Sequence, residues 1–218
     1  MHAGQAGLSV VAEMQTYGDK MKRYLFLLPL AALAACGQGE TTELKDPCAE
    51  ISTIVTARGE DEPFTSLRGE QRMLGDSPLP DAWESNDTFK DSACRVSVMR
   101  GFFGGDTNIH IYTCDLFEAG TMDKDADGKL AEAAYEEAVS NVKACLGDGW
   151  TSEADTESSQ YEVYGKTVFK PVEPEEQVGD FAADPLYVEM RYAGFGGGRN
   201  STPGWLVTLQ AQKQTSAD

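Results

Sequence analysis

The stretch Cys94–Cys114 reads CRVSVMRGFFGGDTNIHIYTC and predicts a β-hairpin. Apolar and polar residues alternate on both sides of Gly104 and Gly105, as in two strands joined by a turn. If the turn centres on Gly104, residues whose numbers sum to 208 face each other. Cys94 then lies opposite Cys114, so the hairpin brings two cysteines together.

Two amphipathic helices flank this hairpin. Asp46 as N-cap, Pro47 at the first helical position and Gly59 as the stop predict a helix over 47–58. A second helix over 130–146, ending before a glycine, follows from residues at helical spacing: Leu130, Ala134, Tyr135, Ala138, Val139, Val142 and Leu146. Each apolar stripe must be buried, so both helices are expected to pack on a sheet.

Three later strands are predicted at 161–170, 186–193 and 205–212, the last two from clean alternation of apolar and polar residues. With the hairpin they give the order α, β, β, α, β, β, β, without long parallel crossovers. We therefore predict a single α+β domain with an antiparallel sheet of about five strands and two helices packed on one face.

Residues 60–92 show no sustained period and contain three prolines. A structureless stretch of this length is unusual inside a compact domain. We interpret it as a covering loop over the sheet, with a binding role as the alternative. Its apolar anchors would be Phe64, Leu67, Met73, Leu74 and Trp83.

The N-terminal region contains a candidate targeting segment. Residues 21–36 read MKRYLFLLPLAALAAC, with Lys22 and Arg23 ahead of an apolar run over 25–35 that is shorter than the about 20 residues a membrane span needs. The stretch resembles the signal peptide and lipobox of bacterial lipoproteins. The resemblance implies lipidation of Cys36 and cleavage just before it. With Gly37 next, it implies the outer membrane of a Gram-negative envelope, facing the periplasm.

This resemblance divides the chain into four parts. Residues 1–20 contain Glu13 and Asp19, which do not suit a targeting peptide, and are interpreted as a mis-assigned extension. The signal peptide is then 21–35, the lipidated tether 36–46, and the α+β periplasmic domain 47–218.

The charge limits the partners. The chain carries −18, and removing residues 1–35 takes away three basic and two acidic side chains, which leaves −19. This charge repels phosphate backbones and anionic lipid headgroups, so we expect no nucleic-acid partner and a membrane contact made only through the lipid anchor.

Assigning Cys36 to lipid leaves four cysteines in an oxidising compartment. Four cysteines allow three pairings. The hairpin register favours Cys94 with Cys114, which leaves Cys48 and Cys145, on the two predicted helices, to join each other. The alternative, a redox or metal-binding pair, lacks C-x-x-C spacing.

One motif indicates metal chemistry. Residues 123–130 resemble the first eight places of an EF-hand calcium loop, with Asp123, Asp125, Asp127 and Gly128 at places one, three, five and six and Leu130 at the apolar eighth place. The twelfth place is Ala134 instead of glutamate. Any calcium binding would be weak. The alternative is a helix N-terminus whose aspartates face the positive end of the helix dipole.

Two functions remain open. The first is a lipid-anchored, non-enzymatic envelope protein that presents a sheet face or the 60–92 segment to a periplasmic protein partner. The second is an envelope enzyme or weak calcium-dependent binder that uses Asp123, Asp125 and Asp127. No catalytic motif is found, and His110 is a lone candidate general base without a nucleophile assigned to it.

Overall fold

The computed structural model of the chain describes residues 46–101, 105–120, 124–179, 182–194 and 203–217. All of them fall within one unit that spans Glu43–Asp218. The predictions made on the extension, the signal peptide, Cys36 and nearly all of the tether lie outside the described residues.

Two α-helices and eight β-strands form within the described ranges. The helices are α1 (Pro47–Arg58) and α2 (Lys124–Leu146). The strands are β1 (Arg68–Leu74), β2 (Ser77–Ser85), β3 (Cys94–Met99), β4 (Thr107–Ala119), β5 (Trp150–Asp155), β6 (Val163–Pro171), β7 (Leu186–Ala193) and β8 (Gly204–Ser216). Short 3₁₀ turns, Thr65–Leu67 and Gly147–Gly149, precede β1 and β5.

The strands form one antiparallel sheet in the order β1-β2-β3-β4-β8-β7-β6-β5. The α+β class holds, but the prediction of about five strands was wrong because the sheet has eight. The additional strands are β1 and β2, which lie within the supposed covering loop 60–92, and β5. Strands β1 and β5 are edge strands with mostly exposed residues, so no apolar alternation identifies them.

The chain uses the same arrangement twice. Each helix is followed by a four-stranded meander, first β1 to β4 and then β5 to β8. The meanders join at the centre of the sheet through β4 and β8, which have 13 residues each and pair along most of their length. A bulge between Asp115 and Phe117 interrupts this pairing once.

The hairpin register is confirmed. The pairs of β3 and β4 run from Cys94 with Cys114 to Met99 with Ile109, and every pair sums to 208. The residues 102–104 of the turn lie outside the described ranges.

One face of the sheet carries the core together with both helices. Tyr112, Leu209 and Val188 lie on this face, fully buried, beside Ile54 of α1 and Val142 of α2. Burying a side chain of this size contributes roughly 1.5 to 3 kcal/mol. Neither helix covers the opposite face, which includes Tyr187 of β7 and Gln210 and Gln212 of β8 and is named the open face.

Helix boundaries follow the local signals. Asp46 caps α1, since its Oδ1 accepts a hydrogen bond from the Cys48 backbone N–H at 3.0 Å, and Pro47 occupies the first turn. The second helix begins at Lys124, six residues before the predicted start. It ends before Gly147, whose φ of +61° suits glycine.

Both disulfide bonds are present. Cys94 and Cys114 join β3 to β4, with a Cα–Cα distance of 4.1 Å. Cys48 and Cys145 join the start of α1 to the end of α2, with a Cα–Cα distance of 4.8 Å. The first bridge therefore lies within one meander, and the second connects the two helices.

Candidate functional site

The aspartate motif lies at the start of α2. Asp125 and Asp127 belong to its first turn, where carboxylates stabilise a helix through its dipole, and Asp123 lies outside the described residues. Gly128 has a packing role, because a Cβ there would come within 3.0 Å of the Trp205 ring. The Trp205 indole N–H donates to the Lys124 carbonyl at 2.9 Å, which fixes this turn of the helix on β8.

Calcium binding stays a prediction. Within the described ranges, no group of three or more His, Cys, Asp or Glu side chains is placed to share a metal ion. Calorimetry at millimolar calcium, with a parallel melting curve, tests the motif directly. Heat of binding and a raised melting temperature would support it.

His110 lies on β4 and is 3% exposed. Its Nε2 lies 3.0 Å from the Thr215 hydroxyl oxygen. Burial lowers the pKa of His110, and the positive charge of Arg68 adds to this effect. A buried, neutral histidine of this kind fits a packing role better than that of a general base open to substrate.

The open face has a polar network at its centre. The Tyr187 hydroxyl donates to Gln210 Oε1 at 2.7 Å and accepts from Gln212 Nε2 at 3.1 Å. Thr208 and Thr113 are almost fully buried on the same face. Burial raises the pKa of Tyr187, so its hydroxyl keeps its proton and its donor role.

Paired charges surround this network. Four cations of the open face each have a carboxylate partner there or on the adjoining loop: Arg95 with Asp115, Lys166 with Asp184 at 2.6 Å, Arg191 with Glu189 at 3.1 Å, and Lys170 with Glu153 at 3.3 Å. The Lys166 ammonium also lies 4.0 Å from the centre of the Tyr187 ring. The centre of the open face is therefore close to neutral in a strongly acidic protein.

A cleft of about 400 Å³ opens beside the end of β8, under the loop between β6 and β7. Arg58, 6% exposed, binds the Glu175 carboxylate of this loop and donates from Nε to the Gln212 carbonyl at 2.6 Å. Lys213 donates to Glu175 Oε2 at 2.9 Å. Hydrogen bonds from Arg58 and Lys213 lower the pKa of Glu175 to about 2, so the loop stays attached at neutral pH.

The sequence analysis did not predict the polar network of the open face. Tyr187, Gln210 and Gln212 all lie in predicted strands, but their network depends on β7 lying next to β8. The alternation of 186–193 separates Tyr187 from the core residues, which was the available signal for an outward-facing tyrosine. Nothing local indicated which side chains of β8 would meet it.

Comparison with protein-family models, with curated proteins and with solved structures finds no match to this chain. No helix within the described ranges is both long and apolar enough to cross a membrane.

Proposed function

We propose that the protein is a lipid-anchored lipoprotein of the cell envelope and that it has no enzymatic role. Its domain is held on the periplasmic side of the outer membrane and binds a periplasmic protein partner through the open face. The lipobox pattern ending at Cys36 supports the anchor. The two disulfide bonds support an oxidising compartment.

The observation that carries the partner proposal is the composition of the open face. An eight-stranded sheet with both helices on one side offers a broad second side. The side chains of Tyr187, Gln210 and Gln212 hold one another in place there through hydrogen bonds. Neutral polar groups that already have hydrogen-bond partners are less costly to cover with a partner than free charges are.

The anchor is tested by Cys36→Ser. This variant should lose labelling by radioactive palmitate and accumulate as uncleaved precursor, because the sulfur that carries the lipid is gone. A control change in the tether, Thr42→Ala, should leave labelling intact. Palmitate labelling that persists in Cys36→Ser would refute the anchor.

The partner surface is tested by site-specific photocrosslinking in the native envelope. A photoreactive residue at Ile111, beside Gln212 on the open face, should yield a discrete crosslinked species. The same residue at Glu136, exposed on α2, is the matched control. Equal products from both positions, or none from Ile111, would contradict binding through the open face.

A further inference from the structure

Strand β5 is a regular and accessible sheet edge. It pairs with β6 in unbroken register over all six residues, and five of the six are exposed. The other edge strand, β1, has two register shifts in its pairing with β2, between Arg68 and Gln71 and between Gln71 and Met73. Bulges and irregular pairing protect an edge from further strand addition, and β5 lacks that protection.

The outward hydrogen-bonding groups of β5 follow from its pairing. The Val172 N–H donates to the Gly149 carbonyl at 3.0 Å, so these two residues form a hydrogen-bonded antiparallel pair. Alternation along the ladder assigns Thr151, Glu153 and Asp155 to β6 as well. Ser152 and Ala154 then direct their backbone N–H and C=O away from β6.

On the helix side, the edge borders a cleft of about 330 Å³ between the end of α2 and β5. Its lining is mixed, with apolar side chains (Leu146, Trp150, Phe169 and Val172) beside polar ones (Lys143, Asp148, Thr151 and Ser152). Val172 is 56% exposed, so the apolar part is accessible. A strand added to β5 would direct every second side chain to the helix side of the sheet, and those beside Trp150 and Ser152 would reach this cleft. The cleft suits an apolar side chain.

On the open face the same edge is acidic. The Glu153 side chain is 77% exposed and forms an ion pair with Lys170 at 3.3 Å, and Asp155 follows on the same side of the strand. Antiparallel pairing with β5 of a second copy would bring carboxylates against carboxylates, which is destabilising. A basic segment is complementary, and the net charge of the domain favours it at longer range.

We propose that β5 binds an extended segment of the partner as a ninth strand, in which apolar residues alternate with lysine or arginine. Main-chain hydrogen bonds to Ser152 and Ala154 supply affinity. The apolar side chains enter the cleft beside Trp150, and the basic ones face Glu153 and Asp155. This inference rests on the proposed function, because it assumes a periplasmic protein partner.

The test uses a fluorescein-labelled heptapeptide of alternating lysine and leucine, with a matched peptide that has glutamate for lysine. Fluorescence anisotropy measures affinity for the mature domain, and amide NMR shifts map the contact. The lysine peptide should bind and shift the amides of Ser152 and Ala154. Weak or equal binding of both peptides, or shifts elsewhere only, would overturn the proposal.

Three variants separate strand addition from simple charge attraction. Ala154→Pro removes an outward N–H without removing a bond to β6, and should weaken binding about tenfold or more. Glu153→Lys with Asp155→Lys should weaken it similarly. Glu136→Lys changes the same kind of charge on α2 and should weaken it less than about twofold.

Equal losses in all variants would indicate non-specific electrostatics and overturn the proposal. Circular dichroism would show whether Ala154→Pro unfolds the domain. In that case the variant with Glu153→Lys and Asp155→Lys, together with the NMR map on the wild-type domain, still tests the proposal. Crosslinking at Ile111 remains an independent test of the proposed function. A partner captured there together with unaltered binding by the β5 variants would refute only this inference.

Discussion

The two meanders share a topology but are stabilised differently. The first, β1 to β4, contains the disulfide Cys94–Cys114 and has an irregular outer pair of strands. The second, β5 to β8, pairs in regular register and lies under α2, which contacts β7 and β8. A covalent bridge thus stabilises the meander whose outer strands are less regular, whereas helix packing and regular pairing stabilise the other.

Removing the disulfide bond between the two helices should cause the largest loss of unfolding free energy. In the loop-entropy model, replacing Cys48 and Cys145 by alanine frees a loop of about 100 residues and costs roughly 4 to 5 kcal/mol of unfolding free energy. Urea denaturation under non-reducing conditions measures it. A smaller loss than that caused by removing the other bridge would contradict the loop-length argument.

Removing the hairpin bridge should cost less. Replacing Cys94 and Cys114 by alanine frees a loop of about 20 residues, which corresponds to roughly 3 kcal/mol. Hydrogen exchange should show faster opening of β3 and β4 than of β6 and β7. Uniform acceleration across all four strands would mean that the two meanders do not differ in local stability.

The stability that Glu175 contributes, by attaching the loop between β6 and β7 to Arg58 and Lys213, should depend on pH. The pKa of Glu175 in the folded protein is about 2, below its ordinary value of 4.5, so its contribution to stability is complete above about pH 4.5. That contribution is lost as the pH falls towards 2. Glu175→Gln should lower stability at neutral pH by about 1 to 2 kcal/mol and flatten its decline between pH 4.5 and 2.

Thermal or urea unfolding across this pH range measures the effect. Glu176→Gln on the same loop is the control and should leave the pH profile unchanged. If the Glu175→Gln profile matched that of the wild type, the contact with Arg58 and Lys213 would not stabilise the fold.

The smallest expected effect concerns the entry into α1. Asp46→Ala removes the cap of the Cys48 N–H and should cost about 1 kcal/mol. Asp46→Asn, which keeps an acceptor oxygen, should restore most of this loss. Urea denaturation of both variants distinguishes a cap from a merely exposed aspartate.

The success of the sequence analysis differed between parts of the sheet for physical reasons. The register of Cys94–Cys114 was predicted because a turn centred on Gly104 determines which residues of the two strands face each other. Strands β1 and β5 were missed because edge strands with exposed residues have no apolar alternation. The start of α2 was placed late, since Asp125 to Gly128 has a polar, loop-like sequence that packing against Trp205 holds as helix.

The sequence by itself determined the features that depend on neighbouring residues: the cap and proline of α1, the apolar stripe of α2 and the hairpin that joins Cys94 to Cys114. Only the tertiary structure decided that β4 pairs with β8, that β5 forms an edge and that Tyr187 meets Gln210 and Gln212. Helix and hairpin patterns arise from local periodicity. The pairing of distant strands depends on how the whole chain buries its apolar surface, and the open face and the β5 edge are what that burial leaves accessible to a partner.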